Sequence, residues 1–147
     1  MKISSFRLEA MRPADHAAVL DLWNSCPGVR ADESLAELTR IIERNPGLSA
    51  IALAPDESGS EQLAGAVLCC HDGRRGYLYH LAVRESQRGE GIARALVQRS
   101  LQQLAAAGIR RCTIFSIVGN ESGEAFWRGL GWFERTELKA FAVDLTN

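Results

Sequence analysis

The apolar positions of this chain change period several times, and each change marks an element. From Phe6 to Met11 apolar and polar residues alternate, with Phe6, Leu8 and Ala10 set against Arg7 and Glu9. A period of two is that of a half-buried strand. Pro13 then opens a helix, with Asp15 in a first turn that favours negative charge. Val19, Leu22 and Trp23 give its buried stripe, and Cys26-Pro27-Gly28 ends it. Asp32 is the expected N-cap of a second helix. Its inner face is Leu35, Leu38, Ile41 and Ile42, and Asn45-Pro46-Gly47 stops it. Leu48 to Ala54 and Leu63 to Cys70 read as a hairpin around the polar turn Pro55 to Gln62. A second turn, His71 to Gly76, leads into the strand Leu78 to Val83.

The turn Arg84 to Ile92 comes next, and then a helix running to Gly108. Ile92, Leu96, Val97, Leu101 and Leu104 share one face of that helix at helical spacing. Arg111 to Val118 is expected as a strand, rich in β-branched residues. Asn120 or Ser122 caps a short helix that Gly131 ends, and Phe133 to Leu138 and Ala140 to Leu145 read as two terminal strands. The order β-α-α-β-β-β-α-β-α-β-β is not a strict βαβ alternation. It predicts an α/β chain of the α+β type, with one mixed, twisted sheet of about seven strands and helices on both faces. No repeat or linker interrupts it, so residues 1–147 are expected to form a single domain.

Composition narrows the function classes. Apolar residues are 46% and charged residues 24%, and the net charge of −1 lacks the basic excess of a general nucleic-acid binder. No apolar run reaches membrane-span length and no signal core opens the chain, so no membrane partner and a cytoplasmic location are expected. Cys26, Cys69, Cys70 and Cys112 have no CxxC spacing or histidine partners, which implies buried free thiols and no metal.

The chemistry concentrates between Leu78 and Gly108. A strand, a glycine-rich turn and a helix together make an anion site out of main chain. The first N–H groups of a helix lack intrahelical acceptors and carry a partial positive charge. Gly89 and Gly91 have no Cβ to bar an approaching oxygen, and Arg88 adds a fixed charge. The turn is not a dinucleotide fingerprint, because Arg94 stands where GxGxxG needs glycine, and no GxxxxGK[ST] occurs.

The run Arg88-Gly89-Glu90-Gly91-Ile92-Ala93 resembles the R/Q-x-x-G-x-G/A signature of the GNAT superfamily, the acyl-CoA-dependent N-acetyltransferases. The strand ending Leu81-Ala82-Val83 is similar to that family as well. So is Asn120 followed by Phe126-Trp127-Arg128-Gly129-Leu130-Gly131-Trp132, which resembles the family's N…LYxxLGF segment. The resemblance is strong from Leu63 onward and weak before it. It implies a GNAT-like acyl-CoA N-acyltransferase fold in which strands four and five splay apart around acetyl-CoA. The implied reaction moves an acetyl group from acetyl-CoA, as co-substrate, to a primary amine of a small molecule or peptide.

For the cofactor, the resemblance implies that the amides of Arg88, Gly89, Glu90, Gly91, Ile92 and Ala93 grip the diphosphate. Leu81, Ala82 and Val83 pair with the pantetheine arm by main-chain bonds. Asn120 and Ser122 lie beside the cofactor, Asn120 either as a helix cap or as a pantetheine contact. A free N–H near Leu81 or Ala82 is the oxyanion candidate. Catalysis is less legible. Trp127 stands where many relatives carry a tyrosine acid, and an indole N–H donates a hydrogen bond without delivering a proton. Tyr79, Ser116 and Ser122 are the other donors for the thiolate. Tyr77 and Tyr79 are expected on one strand face with Leu81 and Val83, with His80 on the other face in a structural role. No base is evident. Asp72, Arg74 and Arg75 form either a solvated hairpin turn or a site for an anionic group of the acceptor. A module that binds acyl-CoA without turnover is the alternative reading. The segment Thr136 to Leu145 offers an edge for a homodimer.

Overall fold

The computed structural model describes residues 5–145. The chain divides into two compact units, 1–115 and 116–147. The first unit holds five strands among the described residues. They are β1 (Arg7–Ala10), β2 (Ala50–Pro55), β3 (Glu61–His71), β4 (Gly76–Val83) and β5 (Cys112–Ile114). They lie side by side in chain order; the first four pair antiparallel and β5 runs parallel to β4. Three helices cover the sheet: α1 (His16–Asn24), preceded by a 3-10 turn at Pro13–Asp15, α2 (Leu35–Arg44) and α3 (Ile92–Ala106).

One core lies between the sheet and α1 and α2. Val19, Leu22 and Trp23 of α1 and Leu38 of α2 pack with Ile51, Ala66, Leu68 and Ala82, all buried. Burying each large side chain of this kind contributes about 1.5–3 kcal/mol. The opposite face of the sheet receives Ile92, Leu96, Val97 and Leu104 of α3. Two glycines let α3 come close. A Cβ at Gly65 would lie 2.9 Å from Ile92 Cγ2 and 3.2 Å from the carbonyl oxygen of Ala82. One at Gly76 would lie 2.6 Å from Leu104 Cδ1. Arg99 of α3 ties its guanidinium to the carbonyls of Gly47 (3.0 Å) and Leu48 (3.2 Å), at the entry to β2.

Several expectations need correction. Ser34, not Asp32, caps α2: its hydroxyl accepts from Glu37 N (3.1 Å) while Glu37 reaches back to Ser34 N (3.2 Å). This reciprocal box satisfies two helix-start donors, which Asp32 is too far upstream to do. Leu35 is exposed, so the inner face of α2 begins at Leu38. The strand expected from Arg111 to Val118 shrinks to Cys112–Ile114, since β4 pairs with it only at Gly76, Tyr77 and Leu78. The two terminal strands do not form, so the sheet has five strands among the described residues rather than seven. Alternating apolar residues give a strand only where a ladder partner exists, and residues 133–145 have none among the described residues. The second unit contains one helix among the described residues, α4 (Glu121–Gly129), with Trp127 packed against Phe126 (5.0 Å) and Trp132 (4.6 Å).

The four cysteines are free, Cys26 and Cys69 buried and Cys70 and Cys112 half-buried. Burial pushes the Cys69 thiol up to about 11 and the Cys112 thiol up to about 12. The fold thus favours the protonated thiols. Their contribution is complete below the ordinary thiol value of 9.0 and is lost as pH rises toward the shifted values. The urea midpoint should therefore fall between about pH 8 and pH 10, and less steeply in Cys112→Ala. Gly65→Ala should cost about 1–3 kcal/mol in urea unfolding, because its Cβ meets both a side chain and a carbonyl.

Candidate functional site

β4 carries an irregularity on which the site is built. Ala66 pairs with Ala82 and Leu68 with Tyr79, so Val67 of β3 faces both His80 and Leu81. This is a β-bulge, and His80 sits in it at φ +55°. Histidine tolerates the left-handed region better than most residues do.

The extra residue exchanges the two faces of the strand. Before it, Gly76 faces Leu104 of α3. After it, Ala82 joins the α1 core, and Val83 pairs with Gly65 beneath α3. Tyr79, paired with the core residue Leu68, lies on the α1 side, as does His80, whose ring centroid is 5.0 Å from Trp23. The expectation that Tyr77 and Tyr79 share a face with Val83, with His80 opposite, is overturned. Strict alternation does not survive an inserted residue.

His80 has a partner that the sequence did not suggest. Its Nε2 lies 2.8 Å from Glu33 Oε2, with both side chains largely buried. A carboxylate only accepts, so Nε2 carries the proton of that bond. Glu33 lies between α1 and α2, where the His16 ring Nε2–H donates to its carbonyl at 2.7 Å. The Asn24 side chain brackets Ala31 with two bonds of 2.9 Å, fixing the same connection. A glutamate in an irregular connection has no periodicity to announce it. The one clue was a lone histidine in an otherwise apolar strand.

Beyond Leu78 the β5 side of β4 has no strand partner among the described residues, and at its end Val83 O accepts from Arg88 Nε and Cys26 Sγ. The chain then turns sharply. Arg84 N donates to Ala64 O (2.7 Å), and residues 85–87 form a 3-10 turn. Arg88 is drawn inward, its Nε bonded to Val83 O (3.1 Å) and its Nη2 3.8 Å from Cys26 Sγ. Gly89 (φ +82°) and Gly91 (φ +87°) are both left-handed, a conformation that most side chains strain. The space beside them is nonetheless open, since a Cβ at either glycine would meet nothing within 4 Å. Gly91 caps α3 without any side-chain hydrogen bond, and Ile92 is buried at the helix start. The N-terminal amides of a helix of 15 residues thus open onto clear space. Those features suit an anionic group approaching the helix start.

A model of the acetyltransferase (GNAT) family matches residues 16–132. The chain belongs to that family. An acetyltransferase of Pectobacterium atrosepticum is 30% identical over 133 residues, covering 90% of this chain and 86% of the relative. The fold is similar to that of Ard1 from Thermoplasma volcanium (TM-score 0.72, 13% identity, 88% of this chain and 82% of that one). It is also similar to a chain of the NatC complex bound to Gag peptide and CoA (TM-score 0.70, 21% identity, 85% and 82%).

Burial, with Cys70 and Tyr77 adding to it, pushes the Tyr79 hydroxyl above its usual value, so it stays protonated at neutral pH. Tyr77 stacks between Tyr79 and Phe115, each 6.3 Å away. Asp72 accepts from the amides of Arg74 (2.8 Å) and Arg75 (2.7 Å), which makes the turn self-contained. In the second unit Asn120 Oδ1 caps α4 from Gly123 N at 3.3 Å and also accepts from Ser122 Oγ at 3.4 Å. Among the described residues no cluster of metal ligands occurs, and no helix is long and apolar enough to cross a membrane. Asn120→Ala should cost about 0.5–2 kcal/mol of local stability, read as faster hydrogen exchange at the Gly123 amide.

Proposed function

We propose that this chain is an acetyl-CoA-dependent N-acetyltransferase, a single domain over residues 1–147 that acetylates a primary amine of a small molecule or peptide. The observation that carries this reading is the uncapped start of α3, with two left-handed glycines opening it, at the end of the unpaired edge of β4. The CoA and the Gag peptide bound to the NatC complex support it by analogy.

Acetyl-CoA supplies an acetyl group activated as a thioester. The amides of Arg88, Gly89, Glu90, Gly91, Ile92 and Ala93 hold its diphosphate, and the helix dipole favours that charge. Arg88 acts mainly by buttressing the turn, since Nε is bonded to Val83 O. The edge of Leu81, Ala82 and Val83 orients the pantetheine arm by main-chain bonds. An N–H freed by the bulge near Leu81 or Ala82 is preorganised for the oxygen on which charge develops. Tyr79, kept protonated by burial, is the proton donor for the departing sulfur. Trp127 contributes at most a hydrogen bond. Asn120 and Ser122 serve the cofactor as well as the cap of α4.

The tryptophan in the usual tyrosine position favours the second reading, an acyl-CoA-binding module without turnover. Thiol release with a panel of amines separates the two. Calorimetry with acetyl-CoA tests what both share; no binding at millimolar ligand overturns both. Gly91→Asn should weaken acetyl-CoA binding by more than about tenfold while the melting temperature holds. Asparagine tolerates the left-handed region, and its side chain occupies the space and the amides meant for the phosphate.

A further inference from the structure

His80 is the one non-glycine residue of positive φ among the described residues, at +55°, and it occupies the bulge that turns β4 over. A side chain in the left-handed region is strained, and such strain persists only where the surroundings over-determine it. Here the surroundings act on the imidazole. Its Nε2–H donates to Glu33 Oε2 at 2.8 Å, and the two side chains are 17% and 18% exposed. Trp23 of α1 packs on the ring, 5.0 Å between centroids. Glu33 is held in turn: His16 donates to its carbonyl, and Ser34 beside it is locked as the cap of α2. The pair is not placed there for stability alone. Glu33 Oε1 is buried with no hydrogen-bond partner among the described residues, and an unsatisfied buried acceptor destabilises the fold. A buried charged group held on such terms can serve to specify one conformation. The conformation at hand is the backbone of His80.

That backbone leads directly into Leu81 and Ala82, to which the acetyltransferase reading assigns the N–H that meets the acyl oxygen. We propose that Glu33 is a positioning residue for this donor. It acts through His80: fixing the imidazole fixes the left-handed turn of the main chain, and that turn aims the N–H. Neither side chain exchanges a proton with the substrates. The inference rests on the acetyltransferase reading and deepens it, by naming what preorganises the oxyanion donor. A preorganised donor needs no rearrangement at the moment charge develops on the oxygen. Without the carboxylate, His80 relaxes toward negative φ in a share of the molecules, and in those the N–H points elsewhere. Acetyl-CoA is held by the α3 amides and the strand edge, so the loss falls on turnover rather than on binding.

Backbone and kinetic measurements on the full chain test this. Three-bond couplings and 13C shifts of the protein without cofactor should show His80 left-handed, and Glu33→Ala should move them toward an average with extended backbone. A left-handed His80 that persists in Glu33→Ala overturns the clamp. Thiol release from acetyl-CoA with a panel of amines gives the second readout. Glu33→Ala should lower kcat about 10–10²-fold, short of the loss of a whole oxyanion donor, with acetyl-CoA affinity within about threefold. Glu33→Gln, which keeps an acceptor oxygen for the imidazole, should recover turnover to within about fivefold of the wild type. On top of His80→Gly, the Glu33→Ala substitution should cost less than about threefold, because glycine takes the left-handed turn unaided. Equal losses in both backgrounds, or His80→Gly without any turnover, overturn the proposal. If the wild type binds no acetyl-CoA, the acetyltransferase reading falls and the donor with it, whatever the backbone at His80 does. If it binds but turns over no amine, the backbone at His80 decides.

Discussion

An extra residue in β4 governs which side of the sheet each of its neighbours serves. Without the bulge at His80, Gly76, Leu78, His80 and Ala82 would all look toward α3, and the α1 core would lose Ala82. With it, the strand turns Gly76 toward α3 at one end and Val83, beside Gly65 of β3, at the other, while handing Tyr79 and His80 to the α1 side. The cost is a non-glycine residue in the left-handed region, of order 1–3 kcal/mol. The Trp23 contact and the Glu33 hydrogen bond help to hold it there.

Two chemically different surfaces thus meet along one strand. On the edge, unpaired main chain leads from the bulge to a turn whose glycines clear the approach to the α3 amides. This surface reads shape and charge with backbone atoms, and side-chain identity matters there mainly through what is missing. On the face it is side chains that gather: an imidazole bonded to a carboxylate from a distant connection, and a phenol whose pKa burial raises. The strand serves as the shared ruler that sets their spacing.

The backbone-reading half was legible in the sequence. Gly89 and Gly91 stand out because glycine takes the left-handed turn at no steric cost, and helical periodicity from Ile92 to Leu104 marks the helix they open. The α1 stripe of Val19, Leu22 and Trp23 was equally plain. The face-reading half was hidden. A bulge leaves the residue pattern of a strand intact while reversing its meaning, so Tyr77 and Tyr79 were assigned with Val83. Glu33 lies 47 residues from His80 in sequence, and long-range pairs leave no local signature. The terminal segment failed for a different reason: Phe133, Phe141, Val143 and Leu145 carry a strand-like pattern without a ladder to join.

Gly65 lies on β3, outside the glycine turn, yet the space above it is occupied by Ile92, the first residue of α3. The depth at which the helix mouth sits is therefore gauged by a missing methyl group on another strand. Such a position can shift the start of the helix while leaving every atom of the glycine turn unchanged. Variation between relatives at that glycine would then read as adjustment of aim rather than as drift in the core.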